Sequence, residues 1–239
     1  MRWTSRRWLL VLGLALPAVA AMAALPARRI TVRNMRPGLW DAKGEYVRFF
    51  ESPAAPLANQ TQLEYINRTM GNFFRTCQEN LPASGKPDNP YAYTARTTVS
   101  IEKEHLIAGY ITRDEYTGGA HPMVYYQGVN VGMVNGRAKV LSLSDLFRSG
   151  ENAHNVAAAH IRANLAHNSR AVFINDAQSD PTDAELTSAW VLTPSGVTFL
   201  IGPYIAGPYA VGSFFVKIPF TEFGDRLDPN GPLKPLLAR

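Results

Sequence analysis

The chain of 239 residues has a single cysteine, so it can form neither an internal disulfide nor a zinc site built on cysteine pairs. Cys77 falls on the apolar side of an expected helix, which marks it as a small buried hydrophobe rather than a catalytic thiol. Charge is sparse as well: Lys and Arg total 24, Asp and Glu 19, together 18% of the residues. No Lys/Arg run with interleaved aromatics occurs, which argues against a nucleic-acid partner. GxSxG, a Walker loop, a dinucleotide fingerprint and HExxH are all missing, so no cofactor, metal or familiar catalytic centre is expected. What is present, 46% hydrophobic residues with 18 glycines and 17 prolines, suits a loop-rich folded domain.

Long apolar runs are also scarce, and the main one opens the chain. Arg2, Arg6 and Arg7 precede an uncharged stretch from Trp8 to Ala27, with small residues at Ala21-Met22-Ala23-Ala24. That order predicts a signal peptide over 1–24, exported by the Sec route or, from Ser5-Arg6-Arg7-Trp8-Leu9-Leu10, the twin-arginine route. The stretch is also long enough for a membrane anchor, the one case in which membrane contact is expected. Either reading places the body in the periplasm or on the outer side of a bacterial envelope. Without 1–24 the chain keeps 21 basic and 19 acidic residues, a net charge of +2 that names no partner.

The body reads as strands interrupted by two principal helices. Strands are expected at 28–34 and 46–50. Leu63, Ile66, Met70, Phe73, Phe74 and Cys77 then recur at steps of three and four, predicting a helix over 57–79. Leu81 to Asn89 is a Pro/Gly-rich boundary. Tyr91, Tyr93, Thr97 and Val99 alternate as in a half-exposed strand, and further strands are expected at 106–112, 123–134 and 137–143, with Asn135-Gly136 as a hairpin turn. Ser144 is the expected cap of a short helical turn, a second helix covers 151–168, and strands at 190–193, 197–201 and 212–218 complete the chain. Hairpins with helices between groups of strands predict an α+β fold with a mainly antiparallel sheet and two helices packed against it. The expected divisions are 1–24, 25–89, 90–228 and a proline-rich tail at 229–239.

DEYTGGAHP at 114–122, VLSLSDLF at 140–147 and SGVTFLIGPYIAGPYAVGSFFVKIPFTEF at 195–223 resemble, in order and separation, exported bacterial domains of the DUF3298 type. The resemblance covers roughly 90–223. Residues 28–80 resemble the DUF4163-type subdomain that often precedes it. These domains occur in the outer part of RsiV-like anti-sigma factors and beside peptidoglycan deacetylase domains. The resemblance implies a compact α+β module outside the cytoplasmic membrane, and in RsiV-like proteins a receptor for lysozyme. Seven residues precede the apolar run here, so no sigma factor partner is expected, and no deacetylase domain accompanies the match. Relatives read close to PYEIAPYA where this chain has Pro203-Tyr204-Ile205-Ala206-Gly207-Pro208-Tyr209-Ala210, so Ile205 stands where they carry an acid.

Tyr116, Gly118, Gly119 and His121 form the most suggestive local group, because two glycines permit a tight turn and the flanking rings offer contact area and hydrogen bonds. The plain alternative is a structural turn. Tyr125, Tyr204 and Tyr209 add rigid aromatic surface near strand ends, suited to a glycan or protein partner if exposed and to a core if not. His160 and His167 stand one heptad apart, a spacing without a third ligand. Asp114 with Glu115, and the acids Asp176, Asp180, Asp183 and Glu185, are the carboxylates available for glycoside chemistry. The leading expectation is a noncatalytic exported envelope protein that recognises a protein such as lysozyme or a peptidoglycan-derived glycan. The alternative is an envelope hydrolase acting on peptidoglycan through unrecognised carboxylates around Asp114 and Glu115.

Overall fold

The computed structural model describes residues 28–237, so the expected signal peptide lies outside the described residues. Two sheets form instead of one. The larger has six strands in sequential order: β1 (Arg28–Arg36), β2 (Trp40–Arg48), β3 (Tyr91–Lys103), β4 (Leu106–Tyr116), β5 (Met123–Val134) and β6 (Arg137–Val140). The smaller is the antiparallel meander β7 (Trp190–Thr193), β8 (Gly196–Ile201) and β9 (Phe214–Pro219). Adjacent strands run antiparallel except β2 and β3, which are parallel. Helix α1 (Ala55–Glu79) connects that pair, and parallel neighbours require such a crossover. The segments on either side of 81–89 therefore share one sheet and one core.

Helix α1 lies on one face of the large sheet. Ile66, Met70, Phe73 and Cys77 are buried as expected, but Leu63 and Phe74 sit at the margins while Gln62 and Thr69 go inside. The two polar residues are buried because each has partners. Gln62 takes the Val47 N–H on Oε1 at 3.2 Å and donates through Nε2 to the Val47 carbonyl at 3.0 Å. Thr69 Oγ1 is 2.7 Å from the Tyr93 hydroxyl and donates to the Tyr65 carbonyl at 2.8 Å. Gly44 lets the helix approach, since a Cβ there would lie 2.6 Å from Ile66 Cγ2. Cys77 is sealed in, and burial pushes its thiol up to about 12.

The small sheet lies against the other face, with β7 against β3, β4 and β5. Asn130, buried in β5, donates through Nδ2 to the Trp190 carbonyl and accepts the Leu192 N–H on Oδ1, both at 2.9 Å. Ser100 Oγ donates to the Leu192 carbonyl at 2.6 Å. A Cβ at Gly128 would sit 1.9 Å from the Trp190 carbonyl oxygen, so glycine is what permits the sheets to approach. Helix α2 (Ala153–Leu165) packs on β9 through Val156, Ala157, Ile161 and Leu165. It ends before His167, which therefore does not share a helical face with His160. The single turn α3 (Asp183–Leu186) follows, capped by Thr182.

Two further expectations change. The turn at Leu143–Leu146 is fixed by Ser142 rather than Ser144, because Asp145 accepts both the Ser142 N–H and hydroxyl at 2.8 Å. The presumed tail is docked: beyond the short helix α4 (Phe220–Phe223), Leu233 and Leu236 enter the core, the latter from α5 (Lys234–Leu237). No helix among the described residues is long and apolar enough to cross a membrane.

Candidate functional site

The β4–β5 connection and the β8–β9 connection meet at one end of the molecule. Gly118 and Gly119 have φ of 99° and 96°, a region that L side chains avoid, and they reverse the chain after β4. Tyr116 braces this turn by donating its hydroxyl to the Gly119 carbonyl at 3.3 Å. The turn delivers His121 to the β8–β9 loop, where its imidazole stacks on Tyr209 with centroids 3.5 Å apart and planes 14° from parallel.

Hydrogen bonds complete the junction. His121 Nδ1 lies 3.1 Å from the Pro122 carbonyl, which can only accept, so that nitrogen carries the proton. Nε2 lies 3.2 Å from the Tyr204 hydroxyl, and in the neutral ring it accepts that hydrogen bond. Tyr209 donates its own hydroxyl to the Pro122 carbonyl at 2.8 Å. One carbonyl thus serves both segments, and the Tyr204 and Tyr209 rings sit 5.7 Å apart.

The β8–β9 loop is anchored from beneath. Ala206 is fully buried and its carbonyl accepts the Phe173 N–H at 3.1 Å. A Cβ at Gly207 would come within 2.7 Å of the Arg170 carbonyl oxygen. Ile205 packs against the core. Tyr126 donates to Ser213 Oγ at 3.0 Å, and burial pushes its hydroxyl up against the opposing effect of that bond. On this support Tyr204 is 51% exposed and holds a φ of 69°. A non-glycine residue there carries backbone strain of about 1–2 kcal/mol, which the surrounding packing must hold.

Of the residues singled out from sequence, His121, Tyr204 and Tyr209 are in mutual contact, with Tyr116, Gly118 and Gly119 shaping the adjoining turn. Tyr125 does not join them. It is opposite Arg113 across β4–β5, on the α1 side of the sheet, with the Arg113 guanidinium 3.9 Å over its ring. Tyr126 faces the other way, toward the small sheet, because successive strand residues alternate. Pro122 and Ser213 were not legible as participants: one acts through its backbone and the other through a partner distant in sequence.

The same alternation separates the adjacent carboxylates. Asp114 faces Thr94, while Glu115 pairs with Arg113 on the α1 side, where burial pushes its carboxyl up despite that cation. They do not flank a common cleft. Asp180 and Asp183 are held by Arg162 at 3.3 and 2.5 Å, and Glu185 caps α3 through Thr182. No group of three or more potential metal ligands occurs among the described residues. A cavity of about 300 Å³ on the face of the large sheet opposite α1 is lined by Lys43, Glu45, Thr94, Arg96 and Asp114. Its central charges are spent on one another, since Lys43 and Arg96 each lie 2.8 Å from Glu45.

Residues 144–221 match the DUF3298 family, described as a protein of unknown function. The match spans α2, the small sheet and the loop bearing Tyr204 and Tyr209. The fold is shared with a DUF3298 family protein from Pseudomonas aeruginosa PAO1, at a TM-score of 0.60 and 22% identity over 86% of this chain and 95% of that one. A member of the DUF3298 family from Bacteroides fragilis NCTC 9343 aligns at a TM-score of 0.57 and 16% identity, over 90% of this chain and 99% of that one. At such identities the likeness is one of fold. No curated protein matches the chain.

Proposed function

We propose that this chain is a noncatalytic, exported recognition protein of the bacterial cell envelope, whose contact face is the His121–Tyr204–Tyr209 junction beside the Tyr116–Gly119 turn. The observation that carries the reading is Tyr204: half-exposed, strained, and fixed at the tip of a loop whose base is buried. A ring ordered in advance contributes contact area without a further entropy cost, which is how aromatic anchors act at interfaces. A protein such as lysozyme is the favoured target, because the rings cover a loop tip rather than line a recess. A peptidoglycan-derived glycan is the other candidate. Neither a sigma factor nor a nucleic acid enters this reading, and the separation of Asp114 from Glu115 leaves the hydrolase alternative without its pair.

Calorimetry of the mature protein with lysozyme and with purified muropeptides tests the proposal. Saturable heat is expected with one of them, and Tyr204→Ala is expected to weaken binding by about 1–2 kcal/mol, roughly five- to thirtyfold in Kd. Absence of saturable heat with both, or an unchanged Kd in Tyr204→Ala, would overturn it.

A further inference from the structure

A second feature, remote from the junction and independent of it, lies where β2 and β3 part company. Their parallel pairing runs from Trp40↔Tyr91 to Glu45↔Arg96 and stops there, although both strands continue. Beyond the fork, two amide side chains of α1 replace β3 as the partner of β2. Gln62 brackets Val47 as described, and Asn59 brackets Phe49 in the same way, with both bonds at 2.9 Å. The edge of β3 from Thr97 to Lys103 has β4 on one side and no strand on the other among the described residues.

That edge borders a cavity of about 430 Å³ lined by Arg29, Val47, Arg96, Thr97, Val99 and Glu102. Two polar atoms of residues that line it, Thr97 Oγ1 and Glu102 Oε1, are shut off from solvent and meet no hydrogen-bond partner among the described residues. Thr97 is 2% exposed. A third group is satisfied in a telling way: Arg29 Nη1 donates to the Thr97 carbonyl at 3.3 Å, standing where the N–H of a neighbouring strand would stand. At the far end, Ser52 Oγ donates to the Glu104 carbonyl at 2.6 Å.

We infer that the fork is a docking slot for a short extended peptide, which adds to the free edge of β3 with a carboxylate toward Arg29 and a hydrogen-bond donor toward Glu102. An exposed strand edge offers N–H and C=O groups at a regular repeat that another extended backbone matches, the basis of strand addition. From Thr97 to Glu102 the strand runs about 17 Å at some 3.3 Å per residue, the reach of about five peptide residues, with a register irregularity between Val99 and Ile101 that the added backbone must follow. Charge sets the direction. The Arg29 guanidinium lies at the Thr97 end of the slot and the Glu102 carboxylate at the other, while Arg96 is already engaged by Glu45.

The test uses two capped pentapeptides, Glu-Val-Thr-Val-Lys and its reverse Lys-Val-Thr-Val-Glu, with the mature protein and amide hydrogen exchange as the readout. One of them is expected to slow exchange in residues 97–103 and to do so saturably, while the other binds more weakly. Arg29→Ala, which alters a side chain on the edge strand, is expected to raise Kd about tenfold, the usual worth of a charge-assisted bond. N-methylation of alternate amides in the peptide should abolish the protection. Lack of protection at millimolar peptide, equal binding of the N-methylated peptide, or protection of the same amides by an N-acetylglucosamine tetramer would each overturn the inference. Tyr204→Ala should leave the peptide effect unchanged, so failure here and failure of the junction reading are told apart.

Discussion

Replacing Asn130 by alanine removes the side chain that satisfies the Trp190 carbonyl and the Leu192 N–H at once. Asn130 is 3% exposed, so water cannot readily take its place. Each buried group left unpaired costs about 1–3 kcal/mol, and with partial relaxation of β7 the loss is about 3 kcal/mol. For an ordered body of this size that corresponds to a fall in Tm of about 6–12 °C. The consequence reaches the junction, because the loop bearing Tyr204 and Tyr209 is carried on the small sheet. Two measurements follow: urea unfolding for stability, and the proton shift of the His121 ring, which the Tyr209 stack at 3.5 Å displaces by ring current. Asn130→Ala is expected to move that shift toward the value of a free histidine. A stability change below about 0.5 kcal/mol, within the range of ordinary surface substitutions, would refute the clamp. A large loss of stability with an unmoved His121 signal would refute its link to the junction.

Other expectations concern single groups. Tyr204→Gly should keep or slightly raise Tm, since glycine adopts a φ of 69° without strain, while binding at the junction falls; a clear drop in Tm would show that the ring is structural. Cys77, with its thiol pushed up to about 12 by burial, should resist a thiol reagent at pH 8 until urea is added. Burial raises the Glu102 carboxyl above its ordinary 4.5, so the folded protein binds that proton more tightly than the unfolded chain does. Its contribution to stability therefore declines as pH rises from 4.5 through the folded value. Glu102→Gln should accordingly stabilise at neutral pH with the gain vanishing below about pH 4, as read by paired urea curves.

Local order was the most legible part of the molecule. The three- and four-residue spacing of Ile66, Met70, Phe73 and Cys77, the Asn135-Gly136 turn and the alternation along β3 each record a repeat set by backbone geometry, which a neighbour in sequence suffices to produce. Gly118 and Gly119 likewise announced a reversal, and the rings of His121, Tyr204 and Tyr209 announced a surface without saying where it was. Tertiary contacts decided the rest. Whether Gln62 is buried depends on a strand fifteen residues earlier turning away from its partner. Whether Tyr125 or Tyr126 faces the small sheet depends on register, which a shift of one residue would reverse. The meeting of His121 with Tyr204, 83 positions apart, required β7 to dock through Asn130 and Gly128. Sequence alone thus determined the elements and the chemical groups available, because those follow from short-range sterics and hydrophobic period. Only the tertiary structure selected which groups meet, because that choice rests on long-range burial and on pairing every buried polar atom that the packing allows.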